Sequence, residues 1–230
     1  MNIICSKSQV YSERAILKDF GSFQELYLLK SCRNSGFEII GEKKNTIKNN
    51  DEVKRCSTSR IKRKIREYAL MNDFSFFYTQ TLKNNRYDLD KFIENIQKKF
   101  KAYKRKNKYF IYLIIYEKHQ DGAYHLHGLV GGLGDDLYIN NNGYYSLKFF
   151  EDLGFNSISK IQNKTAISNY ILKYVSKDFI KSSKNVSYFH SKGLKLPTTK
   201  TVNFYDYSNL NLIFENDYLK KYEVKLWKLV

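Results

Sequence analysis

The chain has 230 residues, 42% of them hydrophobic, which is enough for one domain with a single core. Its 40 lysine and arginine residues outnumber 23 aspartates and glutamates, so the formal net charge of +17 predicts an anionic partner, with nucleic acid as the leading candidate. Three widely spaced cysteines argue against a structural zinc site and a disulfide framework, and no apolar run is long enough to span a membrane. We expect a soluble, cytoplasmic protein with no membrane partner.

The first predicted helix runs from about Ser59 to Met71 and is strongly basic. Before it, residues 1–58 form a partly irregular, basic N-terminal extension, in which the polar stretch from Gly41 to Val53 is typical of a loop. Five cations cover most of one side of the helix: Arg60, Lys62, Arg63, Lys64 and Arg66. Such a run is often a solvated face, but with this net charge we predict that it contacts DNA phosphates.

A strand from Phe74 to Leu82 and a helix from Asp88 to about Arg105 come next. Apolar residues recur at helical spacing along this second helix, at Leu89, Phe92, Ile93, Ile96, Phe100 and Tyr103. Its last turn is basic, which complements the helix dipole. We include Lys104 and Arg105 of that turn among the candidate DNA contacts.

A hairpin follows, with one strand from Lys108 to Glu117 and another from Ala123 to about Val130. Between the strands, Gly122 can take the left-handed position of a three-residue loop. If His119 and Ala123 flank that loop, Glu117 lies opposite His125 and Ile115 lies opposite His127. Because side chains alternate along a strand, one face of the hairpin then carries Glu117, His119, His125 and His127.

Glu117, His125 and His127 predict a metal site with open positions, because two imidazoles and a carboxylate suit a divalent cation that must also hold substrate. An isolated H-x-H on a strand is more often a surface or half-buried pair without metal, and the carboxylate opposite shifts the balance. His119 can be a fourth ligand, a group that supports the ligands, or a turn residue, and we favour the last two. His190 has no partner that the sequence identifies.

Two tyrosines lie four residues apart, and so on one face, in a helix predicted from about Thr165 to Lys177 with Asn163 or Thr165 as N-cap. They are Tyr170 and Tyr174, and each is followed by a lysine three residues on, Lys173 and Lys177 respectively. A tyrosine oxygen can act as a covalent nucleophile, and an ammonium can stabilise phosphate charge. The alternative is that both rings serve packing alone.

The order of these elements predicts an α+β fold with a central antiparallel sheet and helices packed on one face, as in ferredoxin-like or RRM-like sheets. A short helix from Tyr145 to Leu153 and a strand from Phe155 to Gln162 precede the tyrosine helix. Further strands or edges are expected at Val186–His190 and Val202–Tyr207, and the tail from Glu215 onward is unassigned. We divide the chain into an extension (1–58), a catalytic domain (59–210) and a tail (211–230).

These motifs, in this order, resemble those of the HUH endonuclease superfamily, and specifically its rolling-circle replication initiators. His125-Leu126-His127 is similar to the metal motif, and Lys173-Tyr174-Val175-Ser176-Lys177 is similar to the nucleophile motif of plasmid initiators. The doubled tyrosine resembles initiators of small single-stranded DNA phages. The strand from Phe76 to Leu82 resembles the first motif, with Gln80 where leucine is common. A weaker match begins at Ser187, and the resemblance covers roughly residues 60–197.

The resemblance implies a metal-assisted nuclease that nicks and rejoins single-stranded DNA at a replication origin, in the cytoplasm of a bacterial host. Mg²⁺ or Mn²⁺ is the implied metal, held by Glu117, His125 and His127. Tyr174 and Tyr170 are the implied nucleophiles, assisted by Lys177 or Lys173. A helicase, a polymerase and a single-strand-binding protein of the host are the implied partners.

Three alternatives stay open. A transposase or a mobilisation relaxase shares the same chemistry. A non-catalytic DNA-binding regulator on the same fold would be expected to have a broken metal set or no tyrosine, and neither is broken here. An RRM-like RNA-binding protein would want aromatic residues where the histidines stand, and it ranks last.

Overall fold

The computed structural model describes residues 14–29, 50–175, 188–203, 210–216 and 219–224. Twelve strands and three α-helices lie in these ranges. In chain order they are β1 Arg14–Asp19, β2 Gln24–Leu29, α1 Asn50–Met71, β3 Phe76–Thr81, α2 Leu89–Lys106, β4 Ile111–Lys118, β5 Tyr124–Gly131, β6 Leu137–Ile139, β7 Tyr145–Leu147, β8 Asn156–Lys160, α3 Lys164–Tyr170, β9 Tyr188–His190, β10 Thr198–Asn203, β11 Asn211–Glu215 and β12 Leu219–Val224. Two 3-10 helices are added, Lys148–Leu153 and Ile171–Tyr174.

The chain divides into two compact units, and the first combines residues 1–46 with residues 196–230. Its antiparallel sheet has the strand order β10-β1-β2-β12-β11, and Ala15, Leu26, Leu28 and Tyr222 form its core. Two of these strands come from the stretch that we expected to be partly irregular, and two more come from the unassigned tail. The division therefore falls at other residues than the boundaries expected from the sequence.

The second unit, residues 47–195, is built on a seven-stranded antiparallel sheet with the order β6-β7-β8-β3-β5-β4-β9. The predicted α+β class with a central antiparallel sheet is confirmed. The helices, however, lie on both faces of this sheet and not on one. α2 packs with Tyr112, Ile114 and Tyr116 of β4, whereas α1 packs with Leu113 and Ile115 on the other face. A strand that is apolar at successive positions needs cover on both sides.

The central hairpin has the predicted register. The His119 amide donates to the Ala123 carbonyl at 2.9 Å, and Gly122 takes a left-handed φ of 85°. Glu117 pairs with His125 and Ile115 pairs with His127. The turn signal therefore predicted correctly which side chains share a face.

Several element bounds differ from those expected. α1 begins at Asn50, so the end of the stretch expected to be a loop is helical. The short helix expected from Tyr145 is a three-residue strand followed by a 3-10 helix. The tyrosine helix has the expected N-cap, Asn163, but it changes to a 3-10 helix after Tyr170. Such tightening is common in the last turn of a helix.

Gln80 is fully buried, and its replacement by leucine, the residue common in the resembling motif, is expected to destabilise the protein. The Tyr78 hydroxyl donates to Gln80 Oε1 at 2.5 Å. In Gln80→Leu this buried hydroxyl has no acceptor, which costs about 1–3 kcal/mol of unfolding free energy. Urea unfolding followed by circular dichroism measures the loss.

The double variant Tyr78→Phe/Gln80→Leu is the matched control, because it removes both partners and leaves neither unpaired. Gln80 Nε2 also donates to the Phe155 carbonyl, but that carbonyl keeps its bond from the Thr81 amide. We expect the double variant to regain most of the lost stability. A double variant as unstable as Gln80→Leu alone would contradict this account.

Candidate metal and tyrosine site

The site lies on the face of the seven-stranded sheet that α1 and the tyrosine segment cover. His127 of β5 is buried, and its Nε2 lies 3.0 Å from Glu117 Oε2 on β4. The two strands are neighbours, and Glu117 is paired with His125, two residues before His127. Cross-strand pairing and alternation of side chains thus bring a carboxylate and an imidazole into direct contact.

Glu117, His119 and His127 form a group that can hold a metal ion, because one ligand atom from each lies within 4.8 Å of the others. His119 Nε2 is 3.4 Å from the same Glu117 oxygen that His127 contacts. Adjacent ligands of an octahedral Mg²⁺ site, each about 2.1 Å from the ion, are about 3 Å apart. The donor atoms and their spacing therefore fit a small divalent cation.

His125 lies beside this group. Its ring stacks on that of His119 with the centroids 3.7 Å apart, and its Nδ1 is 3.0 Å from the Thr81 hydroxyl. The structure thus brings all four side chains of the predicted patch together. It also brings His119, for which we expected a lesser role, within reach of a metal held by Glu117.

Two threonines of β3 support the histidines, and sequence reasoning did not single them out. Thr79 is paired with His127 and Thr81 with His125, and each hydroxyl lies near the Nδ1 of its histidine, at 3.4 and 3.0 Å. A hydrogen bond at Nδ1 fixes the tautomer of a ligating histidine and leaves Nε2 free for metal. The signal was the alternation Thr79-Gln80-Thr81, which gains meaning only with the β3–β5 register.

Burial keeps both imidazoles of β5 neutral. It lowers the pKa of His127, although the Glu117 carboxylate acts in the opposite direction. Burial, and then the neighbouring His119, lowers the pKa of His125. Since a metal binds the neutral imidazole, these lowered pKa values favour ligation at neutral pH.

The two tyrosines lie against the histidines. The Tyr174 ring stacks on the His127 ring with the centroids 3.8 Å apart and the planes 17° apart. The Tyr174 hydroxyl donates to the Tyr170 hydroxyl at 2.8 Å. Phe77 of β3 contacts both rings, with centroid distances of 5.6 Å to Tyr170 and 6.2 Å to Tyr174.

Tyr174 is protonated in this environment. Burial, the hydrogen bond to Tyr170 and the negative charge of Glu117 all raise its pKa above the ordinary value. Tyr170 is more exposed, with 41% of its surface accessible. A phenol held beside a carboxylate becomes more acidic when a cation neutralises that carboxylate.

The predicted cations divide between the two faces of the sheet. The five of α1 lie on the same face as the site, where Arg66 Nε donates to Asn169 Oδ1 of α3 at 3.4 Å. Lys104 and Arg105 belong to α2 on the opposite face, and Lys104 Nζ donates to the Lys108 carbonyl. The Lys173 ammonium lies 4.8 Å from the Tyr170 ring centroid, and Lys177 lies outside the described residues.

Residues 75–179 match the model of a family described as replication-associated protein ORF2. The matched segment includes Thr79, Glu117, His125, His127 and Tyr174, and so spans the site. This similarity supports a role in DNA replication, as a replication initiator. No curated protein and no solved structure matched the chain. Within the described residues, no helix has the length and apolarity needed to cross a membrane.

Removal of His125 is expected to weaken Mn²⁺ binding more than removal of His119. His125 has the Thr81 hydroxyl at its Nδ1, whereas no such bond to His119 Nδ1 is found among the described residues. Loss of a ligand should cost more than the roughly 10–100-fold that loss of a supporting partner costs. Calorimetric titration of Mn²⁺ into His125→Ala and His119→Ala measures the difference.

His127→Ala serves as the reference, because His127 belongs to both candidate ligand sets and should lose measurable binding. A larger loss in His119→Ala than in His125→Ala would transfer the third ligand to His119. Circular dichroism on each variant checks that the hairpin remains folded.

Proposed function

We propose that the protein nicks and rejoins single-stranded DNA with a tyrosine nucleophile and thereby initiates rolling-circle replication of a phage or plasmid. The observation that carries the proposal is the stacking of Tyr174 on His127 beside Glu117, which brings a nucleophile to a group able to hold a cation. The similarity to a replication-associated family supports an initiator over a transposase or a relaxase with the same chemistry.

In the proposed cleavage, the Tyr174 oxygen attacks the phosphorus of the scissile phosphodiester. The bond from phosphorus to the 3′ oxygen breaks, so the 5′ phosphate remains on the tyrosine and the 3′ oxygen leaves with a proton as a free hydroxyl. The proton of Tyr174 already points at the Tyr170 oxygen, which offers it a path away from the nucleophile. The 3′ hydroxyl can prime synthesis, and the phosphotyrosine bond allows rejoining without ATP.

Glu117, His125 and His127 would hold Mg²⁺ or Mn²⁺. When bound, the cation polarises a non-bridging oxygen of the scissile phosphate and orients it. The chain itself contributes positioning. Thr79 and Thr81 orient the imidazoles, and Phe77 fixes the rings of both tyrosines. A nucleophile held in place in this way loses little freedom in the reaction.

Tyr170 is proposed to make the second cleavage, which closes the circle after one round. Its hydroxyl lies 2.8 Å from that of Tyr174, so either oxygen is close to the same phosphate position. Lys173 or Lys177 would stabilise charge on the phosphate. The cations of α1 would track the DNA backbone, and host helicase, polymerase and single-strand-binding protein would complete replication in the bacterial cytoplasm.

The test is a covalent adduct between protein and DNA. Wild-type protein is incubated with labelled single-stranded DNA from the intergenic region of its own genetic element, with Mn²⁺ or with EDTA, and analysed on a denaturing gel. We expect an adduct with Mn²⁺ and none with EDTA. Tight DNA binding without an adduct under any metal would reduce the protein to a non-catalytic DNA-binding regulator.

A further inference from the structure

Exposed aromatic side chains concentrate near β7 and β8, on the flank of the sheet that ends in β6. Tyr144 is 56% exposed and Phe155 is 46% exposed. Their rings meet edge to face with the centroids 6.3 Å apart. Single exposed apolar residues are ordinary, but exposed rings held against each other mark a surface that binds something.

This aromatic pair, Tyr144 and Phe155, is connected to the metal and tyrosine site through β3. The Thr81 amide donates to the Phe155 carbonyl at 2.8 Å, and the Thr81 hydroxyl lies 3.0 Å from His125 Nδ1. β8 and β5 are the two neighbours of β3, and neighbouring strands are about 4.8 Å apart. A strand of DNA that crosses the sheet from the site thus reaches Phe155 within a few ångströms.

Both rings are held by a fixed backbone. Asn140 Oδ1 accepts hydrogen bonds from the amides of Asn142 and Tyr144, and Gly143 takes a left-handed φ of 78° between them. The Phe155 carbonyl accepts from Gln80 Nε2 as well as from Thr81. Rings that are ordered before binding lose little entropy when a ligand stacks on them.

A cavity of about 390 Å³ adjoins the pair, which is within the range of ligand pockets. Tyr138 and Phe155 supply aromatic lining, and Asn141, Asn142 and Glu151 supply amide and carboxylate groups. Among the described residues, the side-chain amides of Asn141 and Asn142 have no protein partner, and no lysine or arginine lines the cavity. Such a lining fits the edge of a neutral base and not a phosphate.

We propose that Tyr144 and Phe155 form a stacking subsite for an unpaired base of the DNA strand, and that the adjoining cavity holds the edge of that base. The inference rests on the proposed function for its ligand, single-stranded DNA. It adds a specificity-determining subsite remote from the reacting phosphate, because stacking tolerates every base while amide groups distinguish base edges.

Binding of a fluorescein-labelled oligothymidylate in EDTA, followed by fluorescence anisotropy, tests the stacking. We expect Phe155→Ala and Tyr144→Ala each to raise Kd about tenfold. Phe155→Tyr keeps a ring and should bind as the wild type does. The matched control is Tyr109→Ala, because Tyr109 is 79% exposed and precedes β4 at the end opposite Glu117.

A second measurement uses the wild-type protein and does not depend on the folding of any variant. A single-stranded oligonucleotide carrying iodouracil is irradiated with the protein, and the crosslinked peptide is identified by mass spectrometry. We expect crosslinks at Tyr144 or Phe155. Crosslinks confined to other segments, or alanine variants that bind within twofold of the wild type, would overturn the subsite.

These outcomes are distinguishable from a failure of the proposed function. Binding and crosslinking are measured in EDTA and need no cleavage, so a protein that never forms an adduct can still show the subsite. Conversely, an active nickase whose Kd is insensitive to Phe155→Ala and Tyr144→Ala would keep the proposed function and lose this inference.

Discussion

Tyr174→Phe is expected to form no covalent adduct with single-stranded DNA, a loss of about a thousandfold or more in rate. Tyr174 is the tyrosine whose ring stacks on His127, and its hydroxyl donates its proton away toward Tyr170. Replacement by phenylalanine removes only the oxygen, so the stacking and the fold should remain. The measurement is the Mn²⁺-dependent adduct on a denaturing gel, with time points for the rate.

Tyr170→Phe should still make the first cleavage, at a rate reduced by about tenfold, because Tyr174 loses the acceptor of its proton. It should fail when a second cleavage is required, as on a substrate with two nicking sequences. Tyr109→Phe, an exposed tyrosine outside the site, is the control for a general effect of removing a phenol. An adduct kept by Tyr174→Phe and lost by Tyr170→Phe would reverse the two roles.

The hairpin shows how much of the site a local pattern can determine. The turn at Gly122 sets the register of the strands on either side, so the convergence of Glu117, His125 and His127 follows from residues within a short segment. The same reasoning could not find Thr79 and Thr81, since their partners depend on how β3 pairs with β5, 48 and 44 residues away in the chain. Which histidine approaches Glu117 is a matter of side-chain rotamers, which no sequence pattern fixes.

The first unit illustrates the same limit at the level of the fold. β1 pairs with β10, and β2 pairs with β12, which lies near the other end of the chain. Strands that pair over such a separation leave no turn signal, because no hairpin joins them. The second unit was predictable in outline for the opposite reason: β4 and β5 are adjacent in sequence, and α2 carries a regular apolar stripe.

Phe100→Ala is expected to destabilise the second unit by about 4 kcal/mol, a large share of the stability of a typical domain. Phe100 is fully buried in α2, and its ring contacts an aromatic cluster on the face of the sheet opposite the site. The contacting rings are those of Tyr78, Phe110, Tyr112, Phe150 and Phe189. Urea unfolding followed by circular dichroism measures the loss, and Phe100→Leu should lose less because it leaves a smaller cavity.

The position of Phe100 makes a second outcome of this substitution specific. Because the ring lies behind the sheet and the tyrosines lie in front, the folded fraction of Phe100→Ala should form the adduct at the wild-type rate when assayed at low temperature. Tyr109→Ala, exposed and outside both clusters, should leave both stability and adduct formation unchanged. A Phe100→Ala protein that keeps wild-type stability but loses adduct formation would show that the aromatic face takes part in the reaction, which the separation of the two faces excludes.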